Sequence, residues 1–320
     1  MCYNLFVAFA PYSIILSLIY HSTSQFRHMS NRRSFLKQAT IGAAAAGVAP
    51  LLSKAGGTKV FSGNAVTSLQ LGIAGFTFSK STVQQAIAIM QRVNIKTFSL
   101  KDVFLPLNST KDKIDEVVST FKNAGISIYA VGVIYMKKKE DADQAFEYAK
   151  MVGVDMIVGS PVYELLPYVE QKAKAYNIRV AIHNHGPEDP EYPTPGDVYK
   201  HIKDLDSRLG LCLDIGHTQR DNIDPAAAYL KYADRIMDMH IKDVTKAEKD
   251  AESLELGRGI IDIPSLVKAL YKKGYTGHCS FEHEKDATDP LPGLAECVGY
   301  FNGVCNTINT RMHSTSISIN

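Results

Sequence analysis

Leu211-Cys212-Leu213-Asp214-Ile215-Gly216-His217 is an apolar run of strand length that closes on a carboxylate and an imidazole. The same pattern recurs in Val180-Ala181-Ile182-His183-Asn184-His185, in Met237-Asp238-Met239-His240-Ile241-Lys242-Asp243 and in Cys279-Ser280-Phe281-Glu282-His283-Glu284. Apolar strands that end in polar residues and alternate with amphipathic stretches describe a parallel sheet wrapped by helices, with its working face at the C-terminal ends of the strands. Working outward from these runs gives strands at 69–76, 96–100, 126–131, 155–158, 179–184, 210–214, 236–242 and 278–282, enough to close a barrel.

The intervening segments carry helix punctuation. Ser79 to Thr82 offer N-caps for a helix reaching Val93, and Asn123-Ala124-Gly125 closes one that begins near Ser109. Asp224-Pro225 and Asp262-Ile263-Pro264 open two more with Pro in the first turn, and Lys272-Lys273-Gly274 is a basic last turn with a Gly stop. The reading is a single (β/α)8 TIM barrel over residues 66–309, followed by a Ser/Thr/Asn-rich tail, 310–320, expected to fray.

Length and composition agree with this. The 320 residues, 45% hydrophobic and 21% charged, suffice for one such barrel of about 250 residues plus an extension. A net charge of +2 advertises neither a nucleic-acid nor an anionic-membrane partner. The N-terminal part reads as targeting material. Asn31-Arg32-Arg33-Ser34-Phe35-Leu36-Lys37, the Ala-rich run 39–52 and Ser53-Lys54-Ala55 predict a twin-arginine signal over 29–55, hence export to the periplasm and a mature form without membrane attachment. Residues 1–28 are read as an over-extended start, with a membrane anchor through the apolar run 6–20 as the alternative. No Cys-x-x-Cys pair occurs among the five cysteines, and Cys212, Cys279, Cys297 and Cys305 are expected as reduced core residues.

Carboxylate and imidazole at successive strand tips are what one divalent ion (Mn, Zn, Mg or Co) needs, and Asp214, His240 and Glu282 are the first candidate ligands. By strand alternation Lys242 faces the same way as His240, where it could hold a substrate hydroxyl or stabilise an enolate. Glu284 is a candidate for orienting a ligand, and Phe104-Leu105-Pro106-Leu107-Asn108 is expected as a pocket wall.

Leu213-Asp214-Ile215-Gly216-His217, His240-Ile241-Lys242-Asp243, Gly257-Arg258-Gly259 with Ile261-Asp262-Ile263-Pro264, and Phe281-Glu282 resemble the corresponding strands of sugar phosphate isomerases/epimerases and related ketose 3-epimerases, on a xylose isomerase-like barrel. The resemblance covers about residues 66–305. It implies that Asp214, His240 and Glu282 ligate the metal, that His217 hydrogen-bonds a substrate oxygen, and that Glu282 takes a proton from carbon. The departure is His183, which stands where many members carry a Glu that serves as the second acid/base. His183 is then the fourth ligand, its share in the proton work open, with His185 or Glu188 as substitutes from the following loop. Arg258, in a turn where members often carry an acid, is a candidate for substrate contact.

The activity expected is a metal-dependent isomerase or epimerase of a small non-phosphorylated sugar, by proton abstraction next to a carbonyl. The alternative is a lyase or hydratase acting on 3-keto-glycosides. An endonuclease IV-like nuclease and a non-catalytic sugar-binding barrel are the remaining readings. Homo-oligomerisation is compatible with the sequence.

Overall fold

The structure, a computed structural model, describes residues 68–317, with side chains up to 312. The signal-peptide and anchor readings lie outside the described residues. No helix among the described residues is long and apolar enough to cross a membrane.

Eight parallel strands close the barrel: β1 (Gln70–Ala74), β2 (Thr97–Leu100), β3 (Ser127–Met136), β4 (Met156–Pro161), β5 (Arg179–His183), β6 (Leu209–Asp214), β7 (Ile236–Ile241) and β10 (His278–Phe281), in the closed order β1-β10-β7-β6-β5-β4-β3-β2. Between them run α1 (Val83–Arg92), α2 (Lys111–Asn123), α3 (Lys139–Val152), α4 (Leu166–Tyr176), α5 (Pro195–Ile202), α6 (Ile215–Arg220), α7 (Pro225–Tyr232) and α8 (Ile263–Lys273), and α9 (Leu291–Ile317) follows the last strand. The expected caps act as such. The Thr82 hydroxyl accepts from the Gln85 amide and Gly274 ends α8 at φ 68°, while the helix expected from near Ser109 takes Thr110 as its cap, the hydroxyl accepting from the Lys113 amide.

Strands β4 and β6 are buried along their whole length, as a sheet covered on both sides requires. Alternation sends Ala130, Met156, Val158, Ala181 and Cys212 into the barrel interior, while the larger cluster packs sheet against helices. Cys212, Cys279, Cys297 and Cys305 are buried free thiols.

Three expectations change. Strand β3 continues past Val131 to Met136, since Val133, Ile134 and Tyr135 resume β-favouring side chains after Gly132. The segment 310–317, expected to fray, belongs to α9; along that helix the Thr307 hydroxyl donates to the Gly303 carbonyl and the Thr310 hydroxyl to that of Asn306, both at 2.8 Å. The stretch 104–108 is no pocket wall: Phe104 and Leu105 are buried, Phe104 stands edge-on to Phe98 and Phe121, and the Leu105 carbonyl accepts from the Tyr148 hydroxyl at 2.8 Å.

Candidate active site

Strand register brings the polar tips to one level. Asp214 pairs with His240 across β6 and β7, His240 pairs with Ser280 across β7 and β10, and the Glu282 amide donates to the Ile241 carbonyl one step beyond. Asp214 serves two masters. Its Oδ1 accepts from the His217 amide at 2.8 Å and so caps α6, leaving Oδ2 for the barrel axis. Asn184 fixes this tip from β5: its side chain accepts from the Asp214 amide at 3.0 Å and donates to the Asp214 carbonyl at 3.2 Å.

His183, Asp214, His240 and Glu282 are buried, with one donor atom from each within 4.8 Å of all the others. His183 Nε2 lies 3.0 Å from His240 Nδ1, 3.3 Å from Asp214 Oδ2 and 4.0 Å from Glu282 Oε2, and His240 Nδ1 lies 3.9 Å and 3.1 Å from the same two oxygens. Donors about 2.1 Å from a shared cation stand roughly 3.0–3.4 Å apart in octahedral or tetrahedral arrangements, so these separations bracket what a divalent ion demands. Two further observations fit such an ion. Asp214 Oδ2, which faces the cluster, is buried and accepts no hydrogen bond, and the imidazole nitrogens His183 Nε2 and His240 Nδ1 face each other where only one can hold a proton.

Lys242, only 4% exposed, supplies the cluster with a positive charge of the chain's own. Its ammonium lies 3.0 Å from Asp214 Oδ2 and 2.7 Å from Glu282 Oε2, and it also pairs with Glu284. Burial alone would lower the Lys242 pKa, but Asp214, Glu282 and Glu284 hold it well above the usual lysine value. Burial likewise works to raise both carboxylates, but Lys242, His217 and His183 together outweigh it at Asp214, and His240 and Lys242 together outweigh it at Glu282, so both stay well below the ordinary range. Burial, and then His185, bring His183 down to about 3, which leaves it neutral as a metal ligand must be. At His240 burial is outweighed by Glu282, Asp238 and Asp214 together, which raise that imidazole; a metal ion would compete with its proton.

Above this cluster opens a cavity of about 220 Å³ lined by His183, His185, His217, Glu282 and Glu284 from the expected set. Burial lowers His217 to about 4, and the Arg220 guanidinium donates to its Nδ1 at 3.0 Å, so Nε2 carries the proton and can only donate. Two expected residues stay away. Glu188 is not part of the cavity wall, because Arg220 engages its carboxylate. Arg258 stands on the surface, paired with Glu296 of α9 at 2.5 Å. The reason lies in Asp243, which opens a short hairpin, β8 (Asp243–Val244) with β9 (Ser253–Leu254). Its buried carboxylate accepts from the amides of Gly257, Gly259 and Ile261, and this turns the side chain between the two glycines outward.

The cavity also holds residues the sequence reading passed over: Phe76, Lys101, Val133 and Tyr135. Lys101 directly follows the last residue of β2, so the strand-end rule would have found it. Its ammonium donates to the Val133 carbonyl at 3.1 Å. Tyr135 lies on the part of β3 that the expected boundary cut off, and its hydroxyl is 3.0 Å from His185 Nε2.

Residues 87–301 match the family model described as xylose isomerase-like TIM barrel. The chain belongs to this family. Among curated proteins, this xylose isomerase-like barrel is 27% identical over 147 residues to a rhizopine catabolism protein, MocC, of Rhizobium meliloti, a match covering 41% of this chain and 45% of the relative. It is 25% identical over 136 residues to an inosose dehydratase of Lacticaseibacillus casei, covering 38% and 45% respectively. The matches thus span under half the length of these relatives. Among solved structures, an L-ribulose 3-epimerase superposes with TM-score 0.63 at 16% identity, over 78% of this chain and 98% of that one. The IOLI protein with a bound zinc atom gives TM-score 0.63 at 15% identity, over 75% and 99%. These two likenesses speak for the fold.

Proposed function

We propose that this protein is a metal-dependent sugar-modifying enzyme that removes the proton next to the carbonyl of a small, neutral polyhydroxy ketone. The observation that carries the reading is the convergence of His183, Asp214, His240 and Glu282 beneath a cavity of sugar size. The four side chains would hold one divalent ion; when bound, it would polarise the substrate carbonyl and make the neighbouring C–H bond more acidic. The rest falls to the chain itself. Glu282, kept ionised among His240 and Lys242, accepts the proton from carbon. Lys242 offers positive charge to the oxygen on which negative charge develops. His217 donates from Nε2 to a substrate hydroxyl, and the apolar face of Phe76 restricts water.

Return of the proton to a neighbouring carbon or to the other face would give an isomerase or epimerase, which is the activity we put first. A specific observation favours a second reading, loss of a β-substituent as in a dehydratase or a lyase of 3-keto-glycosides. The strand-five tip carries the neutral His183 rather than a second carboxylate, so a symmetrical two-carboxylate epimerisation lacks one partner. The inosose dehydratase relative points the same way. We also propose export behind the twin-arginine pattern at Arg32-Arg33, which favours a non-phosphorylated substrate.

The test is elemental analysis of the purified protein followed by product analysis on scyllo-inosose, D-fructose and a 3-keto-glucoside. One ion per chain with a new ketose or epimer supports the first reading, and release of water or aglycone supports the second. A protein that binds no divalent ion under any loading condition contradicts both.

A further inference from the structure

A reaction that begins with proton removal by Glu282 needs a second group to hand a proton back, either to the carbanion or to a departing oxygen. His183 is committed to the donor cluster. His217 presents a neutral imidazole N–H, which hydrogen-bonds but does not surrender its proton. Glu284 is taken by Lys242, and Lys101 by Asp102 and the Val133 carbonyl. Tyr135 is differently placed. Its ring stacks on His185 with centroids 5.4 Å apart, and its hydroxyl meets His185 Nε2 at 3.0 Å. Behind His185, Nδ1 lies 3.1 Å from Asp189 Oδ2, a contact bent away from hydrogen-bond alignment. Asp189 is itself anchored, its Oδ1 accepting from the Glu191 amide at 2.7 Å and the Tyr192 amide at 3.0 Å. The anchored carboxylate favours a proton on Nδ1, so at rest the phenol donates to Nε2, and its O–H turns from Nε2 to the substrate to deliver the proton while the ring stays stacked on His185. Strand β3 is three strands from β10 round the closed barrel, so Tyr135 and Glu282 reach the same cavity from well-separated walls.

We propose that Tyr135 is the second proton station of this site, a catalytic residue whose hydroxyl is positioned by the His185–Asp189 pair. This rests on the carbon-acid reading above. In elimination, Glu282 takes the proton from carbon, the C–H electron pair becomes the C=C bond, and the C–O pair leaves on the oxygen, which takes the Tyr135 proton and departs as water. In epimerisation the same proton goes to the other face of the carbanion. Either way protonated Glu282 and the phenolate remain, and exchange with solvent restores both. Burial, then the charges of Asp189 and Glu282, raise the phenol above its ordinary value, so it stays protonated until used.

The experiment compares the metal-loaded wild type with Tyr135→Phe in deuterated water, on whichever of scyllo-inosose, D-fructose or a 3-keto-glucoside the wild type turns over. Tyr135 is 54% exposed, so the variant is expected to fold, and its melting temperature checks this. Net product formation should fall roughly 100-fold or more while deuterium entry at the substrate carbon stays within about threefold, because only the second proton transfer is lost. His185→Gln should lower kcat about tenfold with KM nearly unchanged, as a positioning role requires. Tyr135→Phe with product formation within about threefold of wild type, or with exchange and turnover falling together, would overturn the assignment. Absence of exchange and turnover in the wild type would instead sink the carbon-acid reading, and this inference with it.

Discussion

Lys242→Met is the perturbation that separates the chain's own charge compensation from that of a bound ion. Methionine keeps the apolar stem and removes an ammonium that stands 3.0 Å from Asp214 Oδ2 and 2.7 Å from Glu282 Oε2, in a site where Lys242 is 4% exposed. Removing one partner of a buried ion pair costs about 3–5 kcal/mol, because the other charge is left uncompensated. For a barrel of this size each kcal/mol moves the melting temperature by roughly 2–4 °C, so the chelator-treated variant should melt about 6–20 °C below the wild type. The effect on metal binding has the opposite sign. A unit charge about 4 Å from another interacts at roughly 4 kcal/mol when the effective dielectric constant is near 20, so Lys242 repels an incoming cation even as it stabilises the metal-free protein. Zinc or manganese should therefore raise the melting temperature of Lys242→Met by more than it raises that of the wild type. Its affinity in competition titrations should also be at least tenfold tighter, a gain of about 1.4 kcal/mol. The assay is a thermal melt followed by circular dichroism, with chelator and with each metal. A chelated variant melting within about 2 °C of the wild type, or showing the smaller metal-induced rise, would refute the reasoning.

His183→Glu replaces an imidazole by a carboxylate in the donor set and should shift the ratio of manganese to zinc affinity at least about tenfold toward manganese, as competition with a chromophoric chelator would reveal; an unchanged ratio would remove His183 from the ligand set. Asp238 supplies a pH test. Burial raises its carboxyl to about 6, against the hydrogen bonds from Tyr129 at 3.0 and 3.2 Å. A folded-state pKa above the unfolded value means a contribution fully present below the unfolded pKa and lost as pH rises through about 6. Asp238→Asn should therefore fare better relative to wild type at pH ~8 than at pH ~4, by up to about 3 kcal/mol in denaturant melts. The reverse order would show that Asp238 is ionised in the folded protein at low pH.

The strand tips were legible because the barrel makes one face of each strand end do the chemistry. An apolar run closing on Asp214, His240 or Glu282 announces both the strand and its polar mouth. Helix starts were legible for a similar local reason, since Thr82, Thr110, Asp224 and Asp262 satisfy amides only a few residues away. What failed depended on partners distant in sequence. Arg258 is turned out by Asp243, and Glu188 is held by Arg220, neither of which a local window reveals. Tyr135 is not legible locally because Gly132, at φ 140°, reads as the end of a strand when the backbone in fact continues. Residues 104–108 follow a strand and so read as pocket wall, but Phe104 finds better burial against Phe98 and Phe121.

The central claim is that Glu282 takes a proton from carbon at the mouth of this barrel. Its most direct measurement is deuterium incorporation from heavy water into scyllo-inosose, D-fructose and a 3-keto-glucoside, followed by proton NMR with metal-loaded wild type and Glu282→Gln side by side. The account predicts incorporation next to the carbonyl of at least one of these ketones, reduced about 10²–10⁴-fold or more in the variant. Incorporation that survives Glu282→Gln would contradict it, as would a metal-loaded wild type that exchanges none of them.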